Sequence, residues 1–220
     1  MKIKIDNAAA GRAAKVEIRA RVLAAVTPAR AVVFDAFAGA GVMFEAVWRQ
    51  AADYVGCDDR WHDDARCCFV ADNRRVMRAV DLSRFTVFDF DAYGSPWEQA
   101  LILAARRPLA AGERLGLVIT EGTWLSTKGG VMPKTLRQAT GVASVVVGNN
   151  VRARGMHGAM HDELIARALR TVVARLRGRI VQQWRAVGTT GARMRYLGVV
   201  VEGVPVAVKT TRRPRAGAAR

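Results

Sequence analysis

Cysteine is scarce and wrongly spaced for a scaffold: the 220 residues hold three, two of them adjacent as Cys67 and Cys68. That excludes a disulfide framework and a CxxC zinc knuckle, and leaves reduced, buried thiols as the expectation. Long apolar runs are missing too. The best candidate is broken by Asp35, Glu45 and Arg49, short of the roughly 18 to 20 residues a membrane span needs, so a soluble chain is expected. The N-terminal MKIKIDNAAAGRAAK carries charge with no apolar stretch behind it, so no secretory signal is expected and the cytoplasm is the expected compartment. Acid is short in one half only. Residues 111–220 hold 5 acidic against 19 basic side chains, whereas residues 1–110 hold 14 against 16.

What is present is enough for a sizeable core, with 51% hydrophobic residues, and a net charge of +16. A field polarised in this way attracts polyanions and speeds their encounter. Nucleic acid is the first partner to consider and an anionic membrane surface the second, against the plainer alternative of a basic surface kept for solubility.

Apolar stretches alternate in character along the chain. An Ala-rich helical segment at 10–26 precedes a strand at 31–36, a helix at 41–51, strands at 53–58 and 67–72, a helix at 73–80 and a strand at 86–91. A helix after Pro96 and a strand at 114–120 continue a beta-alpha rhythm that implies a mostly parallel sheet with helices on both faces. Residues 122–158 are rich in Gly, Thr, Lys and Arg, with one short strand expected at 143–148. A helix follows whose apolar positions, from Met160 to Leu176, share one face. Strands at 179–187 and 193–202 read as a closing hairpin, bringing the sheet to about seven strands. The expected organisation is an N-terminal helical segment at 1–30, a main domain at 31–205 with a basic insertion at about 122–158, and a disordered basic tail at 206–220.

In VVFDAFAGAG, residues 32–41, an apolar strand runs into Asp35, and Gly39 and Gly41 follow in a turn before a helix. Such a turn lets backbone approach a ligand closely. A dinucleotide fingerprint would place a third glycine where Phe44 stands, so the pyrophosphate form of this loop is poorly supported. Asp58 ends the next strand, 17 residues past Gly41, where a carboxylate can accept from both hydroxyls of a ribose. The two features together point to a nucleoside-type cofactor.

On these residues the chain resembles the class I S-adenosylmethionine-dependent methyltransferases whose first motif reads DxFAGxG, over residues 31–202. The resemblance implies a Rossmann-like α/β fold, a seven-stranded mostly parallel sheet with helices on both faces and a C-terminal antiparallel hairpin. It implies S-adenosyl-L-methionine as cofactor, with Asp35, Phe37, Ala38, Gly39 and Gly41 around its methionine part, Asp58 on the ribose and Asp72 at the adenine amine. Asp72 is preferred to Asp81 because it leaves room for a helix and a strand before Asp91. Its alternative role is the N-cap of the helix NRRVMRAV. Trp61 has two readings, an adenine stack and an ordinary rim or core tryptophan.

FDFDAYGSPW, residues 88–97, delivers Asp91, Ala92, Tyr93, Gly94, Ser95 and Pro96 to the carboxyl edge of the sheet. It is similar to the DPPY-type motif of methyltransferases that modify exocyclic amines, and to the DPFGSP and DPYGSP forms of tRNA guanine N2-dimethyltransferases. A base amine has its lone pair delocalised into the ring. Asp91 and the Ala92 carbonyl, accepting its two protons, would localise that pair toward the sulfonium methyl, and alignment would supply most of the rate. Tyr93 would stack on the base or pack under the loop. The family has proline where this chain has Ala92, which frees the backbone but keeps the carbonyl. The family's tRNA enzymes carry a further C-terminal domain for which 220 residues leave no space, so their target nucleotide is not carried over.

The remaining candidates are substrate contacts. Trp97 and Glu121 follow the fourth and fifth long strands toward the same crevice. Lys128, Lys134, Arg137, Arg152 and Arg154 lie in the long connection, where phosphate contacts would guide a polynucleotide; a solvated basic loop is the alternative. His157 and His161 lie four apart without a third ligand, so no metal is expected. The expected activity is N-methylation of an exocyclic amine of a nucleic-acid base, RNA ahead of DNA because nothing resembles a target-recognition domain for a duplex. A small-molecule or protein methyltransferase, and a non-catalytic nucleic-acid-binding protein on the same fold, are the rivals.

Overall fold

The computed structural model describes residues 9–128, 132–142, 146–147, 150–151, 158–188 and 194–205. Seven strands form one sheet: β1 (Val32–Asp35), β2 (Asp53–Asp58), β3 (Cys68–Val70), β4 (Val87–Phe90), β5 (Arg114–Glu121), β6 (Gly178–Val187) and β7 (Arg195–Gly203). Their order is β3-β2-β1-β4-β5-β7-β6. The first five run parallel, whereas β7 lies antiparallel between β5 and β6. A two-residue ribbon pairs Val146–Val147 with Asn150–Val151 apart from the sheet.

Central strands are apolar on both faces because both are covered. Phe34, Phe88, Leu115 and Leu117 face one core with α3 (Asn73–Ala79), α4 (Trp97–Arg106), α6 (Lys134–Thr140) and α7 (Gly158–Arg175). Val33, Val87 and Val118 face the other with α1 (Ala9–Val26) and the segment around Trp48. The N-terminal helix is therefore part of the fold: Ile18, Val22 and Leu23 are buried on the sheet. Gly198 of β7 admits the helix, since a Cβ there would stand 2.8 Å from Val22 and 2.9 Å from Ile18.

Three expectations change in detail. The helix at 41–51 is instead one short helix, α2 (Val42–Ala46), and a separate 3-10 turn at Trp48–Gln50, because Trp48 turns inward to Asp89. The long connection contains two helices, α5 (Trp124–Lys128) and α6, the latter anchored by buried Leu136 and Ala139. Of the thiols only Cys57 is buried, its pKa pushed up to about 12 by that burial, while Cys67 is exposed.

Candidate active site

The strand order reverses direction between β1 and β4, and in an open α/β sheet ligands bind at such a switch point, outside the carboxyl ends of the strands. Here the ends of β1, β2 and β4 bring Asp35, Asp58 and Asp91 to one edge. Two adjoining clefts open there. One of about 510 Å3 is lined by residues including Phe37, Asp58, Asp72, Asn73, Ala92, Tyr93 and Gln99. The other, of about 180 Å3, is lined by Arg12, Lys15, Asp35, Phe37, Ala38, Gly39, Ala40, Val42, Met43 and Asp91.

The glycine loop between them is held from several sides. Gly41 has φ +80, a left-handed conformation that favours glycine, and starts α2 from it. The Gly39 N–H donates to Asp58 at 2.8 Å. Arg66 donates to the carbonyls of Ala38 and Gly39 at 2.9 and 2.6 Å and is itself held by Asp64. Phe44, in place of a third glycine, packs on Tyr54 with ring centroids 4.7 Å apart, and the Tyr54 hydroxyl donates to Asp35 at 3.0 Å.

Beneath the loop Asp35 and Asp89 are register partners on adjacent strands, both buried. Asp89 accepts from Arg19 at 2.6 and 2.8 Å and from the Trp48 indole at 2.8 Å. Asp35 accepts only neutral donors, the Phe37 N–H and Tyr54. Burial first and the Asp89 charge second push its pKa up to about 8, so Asp35 carries the proton at neutral pH. Asp91 lies above, 3.1 Å from Arg19 and 2.9 Å from Lys15. Burial works against its ionisation, but Arg19 and Lys15 outweigh it and hold the carboxyl below its ordinary value.

The loop after β4 is fixed without the proline ring. Gly94, at φ +125, donates to the Ala92 carbonyl at 3.0 Å, and its own carbonyl accepts from Gly122 at 2.8 Å. The Ser95 and Thr135 hydroxyls meet at 2.9 Å. Ala92 is buried and lines the larger cleft, whereas Tyr93 stands 83% exposed at the cleft mouth.

Other residues lie elsewhere than the sequence implied. Trp97 and Glu121 have no exposure and do not face the cleft as substrate contacts. Trp97 is core, and Glu121 is bound by Thr123 and by His161 at 2.8 Å. Asp72 lines the larger cleft but also caps α3, accepting from the Arg74 N–H at 2.8 Å and pairing with its guanidinium; that pairing lowers its pKa to about 2. Trp61 is 66% exposed and lines neither cleft. Lys134 and Arg137 sit on α6, beside the cleft residue Thr135. The side chain of Lys128, and Arg152, Arg154, His157 and the tail, lie outside the described residues. Among the described residues no group of three His, Cys, Asp or Glu could hold a metal, and no helix is long and apolar enough to cross a membrane. Lys15, Arg19, Trp48 and Arg66 were not singled out from the sequence; spacing alone links none of them to residues so distant in the chain.

Strand order, switch-point clefts and glycine loop together define the Rossmann-like methyltransferase fold. Among solved structures, Trm1 from Pyrococcus horikoshii in complex with S-adenosyl-L-methionine is similar to this chain at a TM-score of 0.56 and 14% identity; the match covers 93% of this chain and 59% of that one. The chain thus spans less than two thirds of that protein. NodS, an N-methyltransferase from Bradyrhizobium japonicum WM9 solved with S-adenosyl-l-homocysteine, is similar at 0.53 and 10% identity, covering 91% of this chain and 90% of that one. TYW2 from M. jannaschii, in complex with AdoMet, is similar at 0.52 and 12%, covering 87% and 77%. No family model matches the sequence, and no curated protein does.

Proposed function

We propose that this chain is an S-adenosylmethionine-dependent N-methyltransferase acting on an exocyclic amine of a nucleic-acid base, with RNA favoured over DNA. The observation that carries the reading is the gathering of the glycine loop, Asp58 and the Asp91-Ala92-Tyr93 turn around two adjoining clefts at the switch point, Gly39 and Asp91 on the smaller and Asp58, Ala92 and Tyr93 on the larger. The cofactor supplies an activated methyl group. Asp35, Phe37, Ala38, Gly39 and Gly41 hold its methionine part, Asp58 the ribose, and Asp72 borders the adenine end. Asp91, kept ionised by its two cations, and the Ala92 carbonyl take the amine protons, and exposed Tyr93 offers a face for stacking. A base using Asp91 displaces Lys15, whose side chain is 20% exposed. Lys128, Lys134, Arg137, Arg152 and Arg154 serve as phosphate contacts. The fit with three solved structures bound to this cofactor or its product supports the cofactor assignment.

The test is transfer of a labelled methyl group to total RNA, genomic DNA and a small-molecule extract in parallel. We expect label in nucleic acid, abolished in Asp91→Ala with cofactor binding nearly intact, and weakened cofactor binding in Asp58→Ala. Label only in the small-molecule fraction overturns the substrate class. A second reading, a basic nucleic-acid-binding protein without chemistry, draws on the ion pairs that occupy Asp91; it expects salt-sensitive binding with no label anywhere.

A further inference from the structure

The seat assigned above to the acceptor amine already holds an amine of the chain itself. The Lys15 ammonium lies 2.9 Å from one Asp91 oxygen and 3.1 Å from the other. It is no remote surface pair: Lys15 lines the smaller cleft together with Phe37, Gly39 and Asp35, beside the glycine loop. The Tyr196 ring lies 5.9 Å from the ammonium, a distance suited to a cation facing an aromatic. α1 delivers this side chain, and Arg19 one turn later locks the helix in place by binding both Asp89 and Asp91.

Positive charge is concentrated in this cleft. Arg12 and Lys15 line the cleft, and Arg19 reaches Asp91 there as well. The cofactor adds a sulfonium and an ammonium against one carboxylate, an excess of one positive charge in the same cleft. Of the side chains there, a guanidinium is no methyl acceptor, whereas a lysine amine is one once it has given up a proton. We infer that Lys15 is a site of self-methylation, an acceptor amine held on Asp91 within the donor cleft; the inference rests on the methyltransferase reading above. In the step, Lys15 first loses a proton through Asp91 to water. The Nζ lone pair then forms the new N–C bond as the donor's C–S bond breaks, its electron pair staying on sulfur and leaving a neutral thioether.

The experiment has two readouts. Protein taken from expressing cells is digested and its peptides weighed, and purified protein is incubated with methyl-labelled S-adenosylmethionine with and without total RNA. We expect the Lys15 peptide to carry whole methyl increments in both, with the label lost in Asp91→Asn and in Lys15→Arg, which keeps a cation on Asp91 but is no acceptor. Melting temperatures of the variants and calorimetric cofactor binding separate loss of fold from loss of transfer. Cofactor binding and label on RNA with an unmodified Lys15 peptide overturn the self-methylation alone. Label spread evenly over other lysines overturns the site. Absence of cofactor binding overturns this inference and the methyltransferase reading together.

Discussion

Arg66 does from outside the glycine loop what a ligand does from inside: it fixes which way the peptide groups point. Its two bonds to the Ala38 and Gly39 carbonyls, with those of the Ala38, Gly39 and Gly41 amides to Cys57, Asp58 and Ala38, fix the path of the loop along the cleft. Hydrogen bonds to a charged group are worth about 1.5 to 3 kcal/mol each. Arg66→Ala is therefore expected to weaken cofactor binding by about tenfold to a hundredfold, measured by titration calorimetry, with less effect on the turnover of saturated enzyme. Asp35 provides a second test. Its pKa rises from 3.8 to about 8 on folding, so its contribution to stability is full below the lower value and lost as pH rises through the upper one. The slope over that window is about 1.4 kcal/mol per pH unit. Asp35→Asn, which cannot titrate, is expected to flatten the fall in stability from pH 5 to 8, read from urea unfolding at each pH.

Single elements carry the site as well as single residues. α1 lies on β5, β7 and β6 through Ile18, Val22 and Leu23 and points Lys15 and Arg19 at β4. Gly198→Ala would push against Val22 and Ile18. Such overpacking costs about 1 to 3 kcal/mol, and cofactor affinity is expected to fall with it because the two cations move with the helix; thermal melts and calorimetry on one variant check both effects. Most strands were legible from sequence because β-branched and aromatic runs such as VVFD and TVFDF end at turn residues. The helix expected at 41–51 was not, because the inward turn of Trp48 depends on Asp89, 41 residues away. The motif around Asp91 was readable as a local string, whereas its partner Lys15 lies 76 residues off in an Ala-rich stretch with no signature of its own. Of the two roles weighed for Asp72 the structure shows the helix cap, with the residue at the edge of the larger cleft.

At the scale of the whole molecule the excess charge of +16 makes a quantitative claim. Neutralised phosphates release counterions, so a polynucleotide should bind with an affinity that falls by about 0.9 log unit per log unit of salt for each duplex phosphate contacted. Binding to RNA or DNA fragments measured across a salt series is expected to show a steep slope, while cofactor binding stays nearly flat; a flat polynucleotide series would remove nucleic acid as the partner. The seating of α1 also imposes an order in time. The helix is made well before β7, on which it packs and which ends at Gly203. At about 5 to 20 residues per second, roughly 9 to 35 s pass between the two. During that interval Ile18, Val22 and Leu23 have no sheet to cover them, and Lys15 and Arg19 wait for the last strands, so a nascent chain cut short before β7 holds the cofactor loop but not the finished site.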